Sequence, residues 1–297
     1  MRMKTYFFIQ NKCLCVLILA VCGALLFGLC SCSDLADADT DVKLRLCFLD
    51  VGQGDATLIR TVAGDILIDT GTEDSQEALC LRLGELGVER LSLLVLTHFD
   101  EDHAGGADGV LRQLAVDEIW INDSPSANES VTELYGALTD SGTVVTVVEK
   151  GMQRRVGDLL LTVLAPLYSG IEDGNEGSIV LKLSCGEISA LLMGDVGVKT
   201  EEALVAQYSG AQLRCQLLKV GHHGSNTSTG SAFLEAARPQ YAVISCGVGN
   251  EFGHPHGQPL QRLRKVGATV LRTDLLGEII FVSDGEAIWQ AGSAVLR

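Results

Sequence analysis

All six histidines of the chain fall into three close pairs, His98 and His103, His222 and His223, His254 and His256. Each pair lies at or just beyond the end of a predicted strand. Histidines that served only as core filling would also turn up in helices and in mid-strand, and none does. The pairs are far apart in the sequence, so a fold that uses them together must bring the tips of distant strands to one place. The first pair is the most telling. Leu91-Ser-Leu-Leu-Val-Leu96 reads as a strand buried on both faces, too short and too branched to stand as a helix. Beyond Thr97, the chain presents His98, Asp100, Asp102 and His103 within six residues. Two imidazoles and two carboxylates packed so tightly repel or titrate abnormally unless a cation sits among them. Strand carboxyl ends are where layered α/β folds build their sites.

Around this core the chain divides by composition. Residues 1–12 carry Arg2, Lys4 and Lys12 and no acid, and Cys13 to Leu29 is continuously apolar, the layout of an export signal. Its end, Leu29-Cys30-Ser31-Cys32, resembles a bacterial lipobox with Cys32 as the lipidated thiol. The alternative is an uncleaved anchor, and positive charge at the start keeps that end inside either way. Residues 1–32 are therefore expected to be a lipoprotein-type signal peptide. Residues 33–42 form an acidic tether with four Asp by residue 41, and 43–297 is one globular domain. The body is expected outside the cytoplasmic membrane, secreted or held to it through the N-terminal lipid or anchor. No protein partner can be inferred.

The formal charge is −16, and removing Arg2, Lys4 and Lys12 takes it to −19. Such a body cannot bind nucleic acid through a broad basic surface. Any anionic substrate must be drawn by cations at the site itself. Five cysteines lie in the body, at 47, 80, 185, 215 and 246, mostly inside apolar runs and never as Cys-x-x-Cys. They read as small core residues, and the spacing argues against a thiolate zinc site.

The remaining periodicity alternates strands and helices. Strands are predicted at 43–51, 56–62, 65–69, 91–97, 118–121, 143–148, 158–164, 178–185, 188–193, 216–220 and 241–246, with three more closing near Gln290. Helices are predicted at 74–86, 109–114, 130–138, 198–208, 232–237 and 258–266. Periodicity alone gives an α/β fold.

His98-x-Asp100-x-Asp102-His103 followed by Gly105-Gly106 resembles the metal motif of the metallo-β-lactamase fold. With Asp at the third place it is similar to the hydrolase domain of ComEC-type DNA-uptake competence proteins. Phe48-Leu-Asp-Val-Gly-Gln-Gly-Asp55, Leu67-Ile-Asp-Thr-Gly71, Leu192-Met-Gly-Asp195, Lys219-Val-Gly-His-His-Gly-Ser225 and Gly253-His-Pro-His256 match the same variant, in the same order, over about residues 43–285. The resemblance implies a four-layer αββα sandwich of two mixed sheets. It also implies two divalent ions, one held by His98, Asp100 and Asp195, the other by Asp102, His103, Asp195 and His222. Asp195 would bridge them. Two such ions about 3.5–4 Å apart share an activated hydroxide and clamp both oxygens in a displacement at phosphorus. The common form of the family has His where Asp100 stands and a further His before the bridging Asp. This chain has neither, so its first site is rich in oxygen. That favours Mn²⁺ over Zn²⁺, with Asn175 or Ser178 near the missing ligand's place.

Extended backbone through the second pair would point His222 and His223 to opposite sides. His222 is then the metal ligand and His223, with Asp102, belongs to the reaction pocket. His254 and His256 are expected to clamp a phosphate or give a proton to the leaving oxygen. Asp50, Asp55 and Asp69, beside glycines at strand ends, are either turn formers or acceptors that orient a ligand imidazole. Ser225 and Asn226 are placed to bind a substrate oxygen. Together these features point to an exported metal-dependent hydrolase, a phosphodiesterase or nuclease with DNA as substrate. Amide or lactone hydrolysis, as in the β-lactamases, and a tethered binding module with a degenerate site are the alternatives.

Overall fold

The computed structural model describes residues 42–123, 129–171 and 173–292. The leader, Cys32 and the tether up to residue 41 lie outside the described residues. Among those described, no helix is long and apolar enough to cross a membrane.

Sixteen strands are described: β1 (Leu44–Phe48), β2 (Thr57–Thr61), β3 (Gly64–Ile68), β4 (Arg90–Val95), β5 (Ala115–Val116), β6 (Glu118–Ile121), β7 (Val144–Val147), β8 (Gln153–Val156), β9 (Leu159–Ala165), β10 (Val180–Cys185), β11 (Ile188–Leu192), β12 (Leu217–Lys219), β13 (Tyr241–Ile244), β14 (Thr269–Arg272), β15 (Ile279–Ser283) and β16 (Ile288–Gln290). They form two mixed sheets. The first runs β16-β15-β1-β2-β3-β4-β6-β7, with β5 beside β4, and the second runs β14-β13-β12-β11-β10-β9-β8. Pairing from β16 to β3 is antiparallel, whereas β3, β4, β6 and β7 run parallel. The second sheet is likewise parallel from β14 to β11 and antiparallel from β11 to β8.

Strand alternation explains the layers. Leu44, Leu46 and Phe48 of β1, Ile66 and Ile68 of β3 and Leu93 and Val95 of β4 face the second sheet. They meet Leu161, Val163, Leu181, Leu183, Ala190 and Leu217 in one apolar core. Phe281 of β15 joins the two layers, packing edge-on against Phe48 at 6.5 Å and against Tyr241 of β13 at 4.9 Å. The outer face of the second sheet, with Leu191, Leu218 and Ile244, is buried under Leu204, Phe233, Leu234 and Leu263. Those residues belong to helices Val198–Gln207, Ser231–Ala237 and Gly257–Lys265. On the first sheet's outer face Leu67 and Leu94 are also fully buried, and Arg60 donates to Leu86 O (2.6 Å) at the end of helix Gln76–Glu85. The result is the expected four-layer α/β sandwich.

The body cysteines are buried and unpaired. β8 escaped the sequence reading because Gln-Arg-Arg-Val is polar. As an edge strand it needs only one ladder, and Arg154 turns inward to Ser92 O (2.8 Å) and Glu118. The predicted strand 91–97 stops at Val95. There Asp69 takes over the backbone, accepting from Thr97 N (2.7 Å) and releasing His98 from the sheet plane.

Candidate metal centre

The site forms where the carboxyl ends of β3 and β4 in one sheet meet those of β11, β12 and β13 in the other. Glycines allow the loops to close. Gly54 has φ +140°, and a Cβ there would lie 2.4 Å from Asp102 O; one on Gly106 would lie 2.5 Å from Thr70 O. Asp55 N donates to Asp102 O (3.0 Å) and Thr70 N to His103 O (2.7 Å), so the turns after β1 and β3 hold the ligand loop. His103 and Asp102 stand on a short helix, Glu101–Ala104, with Asp100 at its N-cap.

Each buried ring is pinned through Nδ1. Asp69, itself in the left-handed region (φ +58°), accepts from Thr97 Oγ1 (2.8 Å) and from His103 Nδ1 (2.9 Å). Thr97 Oγ1, having given its proton to Asp69, accepts from His98 Nδ1 (3.2 Å). His223 Nδ1 donates to Ser245 O (3.0 Å). These bonds fix the tautomers and leave the Nε2 lone pairs of all three rings aimed inward. His103 Nε2 and His223 Nε2 lie 3.3 Å apart. Asp195 Oδ1 is 3.2 Å from the former, and Asp102 Oδ2 is 3.1 Å from the latter. His98 Nε2 has no hydrogen-bond partner and lies 3.6 Å from Asp100 Oδ2; Asp195 Oδ1 also lacks a hydrogen bond.

Electrostatics tells the same story. Burial acts to lower the pKa of His103, yet Asp195 and Asp69 outweigh it and hold the ring well above its ordinary value. Burial likewise opposes His223, which Asp195, Asp55 and Asp102 raise to about 10. In turn Asp195, which burial would raise, is held well below the carboxylate range by His103 and His223. Asp102 is lowered against its burial by His223, and Asp100 by the neighbouring His98 ring. In the absence of metal, protons on the rings supply the positive charge that these carboxylates require. Facing lone pairs, orphaned buried donor atoms and surplus acid are what divalent ions satisfy, so the residues fit such ions. Asp55, His103, Asp195 and His223 offer ligand atoms all within 4.8 Å of one another.

Several site residues lie differently from their sequence expectation. His222 and His223 are not extended. Both adopt left-handed backbone (φ +49° and +50°) in the turn Gly221–Gly224, so the alternation that would separate them does not operate. His223 is buried among the carboxylates, whereas His222 is a quarter exposed, with Nε2 3.8 Å from Asp195 Oδ2 and Nδ1 3.3 Å from Thr227 Oγ1. Asp50 is exposed and accepts from Gly52 N (3.2 Å); it is a turn former and orients no ring. Asp55 lies behind His223, its Oδ1 3.5 Å from Nδ1 and its Oδ2 2.7 Å from Lys219 Nζ. Lys219, buried and absent from the expected site, is the counter-ion of Asp55. Gly194 (φ +51°) turns Asp195 inward, while Ser178 Oγ accepts from Asp195 N (3.1 Å), fixing its backbone. Asn175 uses its backbone N to cap Asp173 (3.1 Å).

His254 and His256 form the outer wall. His254 stacks on His223 (6.1 Å, 26°), and its Nδ1 is buried without a partner. Burial first, then the neighbouring rings, lowers its pKa to about 4. His256 Nδ1 accepts from Asn226 N (3.1 Å), which puts its proton on Nε2. Ser225 is buried and its Oγ is taken up by Thr227 (3.0 Å). A cavity of about 490 Å³, lined by Asp123, Val147, Lys150, Pro166 and Tyr168, opens at the ends of β6 and β7.

The sequence profile of the Metallo-beta-lactamase superfamily matches residues 49–248, a span that takes in the Asp55, Asp69, Asp102, His103, Asp195 and His223 constellation. The chain belongs to the metallo-β-lactamase superfamily. Within it, 249 residues, 78% of the chain, are 32% identical to ComE operon protein 3 of Bacillus subtilis. Competence protein ComA of Neisseria gonorrhoeae is 36% identical over 90% of the chain. The chain spans about a third of the length of either relative, 32% and 38% respectively. Among solved structures, the metallo-β-lactamase fold protein YhfI of Bacillus subtilis superposes with a TM-score of 0.51 at 11% identity. The match covers 83% of this chain and 99% of that one, a likeness of fold alone.

Proposed function

We propose that this metallo-β-lactamase-fold protein is a metal-dependent phosphodiesterase that cuts DNA strands. The observation that carries the reading is the composition of the centre. Three aspartates, Asp100, Asp102 and Asp195, share one pocket with the inward Nε2 atoms of His98, His103 and His223. His98, Asp100 and Asp195 would hold one ion. Asp102, His103, Asp195 and His223 would hold the other, with His222 at its rim. Divalent ions held there supply Lewis-acid charge to both the attacking and the leaving oxygen of an in-line displacement. The oxygen-rich first set favours Mn²⁺, with Zn²⁺ the softer alternative.

The chain's own residues have separable tasks. Asp69, Thr97 and Ser245 O orient the rings, and Lys219 neutralises Asp55 behind His223. His256, with its proton on Nε2, donates to a phosphoryl oxygen. His254, whose pKa is lowered to about 4, stays neutral at pH 7 and so serves as a polar wall rather than a charged acid. Relatives named for competence support DNA as substrate. Residues 1–32 and Cys32 extend the proposal to a body exported and tethered outside the cytoplasmic membrane.

The test is turnover of an oligodeoxynucleotide and of a cephalosporin by the purified protein, with Mn²⁺, Zn²⁺ or EDTA, for wild type and Asp195→Ala. Strand cleavage with metal, lost in Asp195→Ala, is the expected result. Cephalosporin turnover alone would move the reading to amide hydrolysis, and no turnover of either would leave a binding module.

A further inference from the structure

The geometry points to Phe252 as a stacking platform for a nucleobase at the mouth of the metal centre, which makes the substrate a base-bearing strand rather than a bare polyol-phosphate chain. The inference rests on the phosphodiesterase reading above. Phe252 is 55% exposed. It lies parallel on His254 (5.6 Å, 21°), and His254 in turn lies nearly parallel on His223 (6.1 Å, 26°). The three rings run from the buried carboxylates towards solvent, with Phe252 at the exposed end.

The loop that carries Phe252 is held by the residues on either side of it. Asn250 Nδ2 donates to Gly247 O (2.9 Å) and to His254 O (2.7 Å), and Asn250 Oδ1 accepts from His254 N (2.9 Å). Gly247 lies so close to the turn after β1 that a Cβ there would be 2.8 Å from Gln53 N. These bonds hold the backbone on either side of Phe252, so the loop gives up little freedom when a base lies on the ring. The column stands beside His256 and His222, so a phosphodiester drawn to the centre carries its adjoining nucleoside out along this wall.

Stacking also answers the charge problem. A chain at −16 gains little from long-range attraction to phosphate. Base-on-aromatic contact is sequence-tolerant and needs no basic surface.

The experiment uses the whole protein with Mn²⁺ and two eight-residue deoxystrands, one thymidylate and one with abasic tetrahydrofuran sugars on the same backbone. Wild type, Phe252→Ala and Phe252→Trp are compared by kcat/KM and by fluorescence anisotropy of labelled strands, with Ca²⁺ in place of Mn²⁺ in the binding arm to keep the site charged while suppressing cleavage. Phe252→Ala is expected to lose roughly 5- to 150-fold in kcat/KM on thymidylate, mostly in KM, and under twofold on the abasic strand, with Trp restoring it. Thymidylate containing one 2-aminopurine should lose its stacking-quenched fluorescence signature in Phe252→Ala. Equal losses on both strands, or none on either, would overturn the platform. If wild type cleaves neither strand, the phosphodiesterase reading fails. In that case a base-dependent binding difference that vanishes in Phe252→Ala still supports the platform, and no such difference overturns it.

Discussion

Replacing Lys219 by Met exposes the cost of the charge pair behind His223. Lys219 is 2% exposed and Asp55 4% exposed, with 2.7 Å between Nζ and Oδ2. Met fills much of the same volume, so the loss is chiefly of charge. Removing one partner of a buried pair typically costs about 3–5 kcal/mol because the other charge is left uncompensated. His223 Nδ1, 3.5 Å from Asp55 Oδ1, remains as a partial substitute, which argues for the lower end, about 3 kcal/mol. For a domain of this size that is a fall of roughly 6–12 °C in Tm.

The pH dependence follows from Asp55. Burial acts to raise its pKa, but Lys219 above all, then His223, holds it below the ordinary carboxylate range. A depressed carboxylate contributes stability above its unfolded value, about 3.9, and loses it as pH falls through the folded value. Without Lys219, burial prevails and Asp55 takes a proton at higher pH. The variant's deficit should therefore be widest at pH 7–8 and narrow toward pH 4–5. Adding Asp55→Asn removes the stranded charge and should recover at least half of the loss. Thermal unfolding by circular dichroism across pH 4–8 measures all of this. A deficit below about 1 kcal/mol, or a double variant as unstable as the sum of the singles, would refute the reasoning.

Asp69→Ala frees His103 Nδ1 and Thr97 together and should weaken metal binding about 10- to 100-fold, read by titration against a chromophoric chelator; unchanged affinity would show that Asp69 does not orient the ring. Glu201 accepts from Thr229 N and Gly230 N (2.6 Å each) in a buried setting, so Glu201→Ala should cost about 2–4 kcal/mol in urea unfolding. Glu201→Gln, which keeps one acceptor, should cost less. Mn²⁺ or Zn²⁺ binding must expel protons from His103 and His223, which their carboxylates hold above the ordinary histidine range. Affinity should fall as pH drops from 8 to 6, and calorimetry in buffers of different ionisation enthalpy should report release; a buffer-independent heat would contradict this.

Much of the site was legible because its residues are chemically costly elsewhere. Buried imidazoles and acids have few reasons to cluster, and their pairing at strand ends pointed to convergence. The fold was legible for the same reason as in any sandwich: Leu46 and Phe48, or Ile66 and Ile68, alternate with residues of the other face. Short polar elements such as β8 carry no such pattern. Asp50 and Asp69 look alike in sequence, each following an apolar run and standing two residues before a glycine. Only the left-handed turn at Asp69, which points its carboxylate at Thr97 and His103, tells them apart. The expectation that His222 and His223 point to opposite sides failed because adjacent residues alternate only in extended backbone, and the turn at Gly221–Gly224 is not extended. Thr97 and Lys219 act through hydrogen bonds to Asp69 and Asp55, both distant in sequence, and nothing in their own neighbourhood announces it.

His98, Asp69 and His103 come from one sheet, and Asp195, His223 and His254 come from the other. Neither half of the sequence is thus a smaller, weaker version of the whole. A nick or truncation that parts the sheets should abolish ion capture outright rather than reduce it. In a heating series, the ability to take up ions should vanish in step with the loss of the apolar seam between the layers.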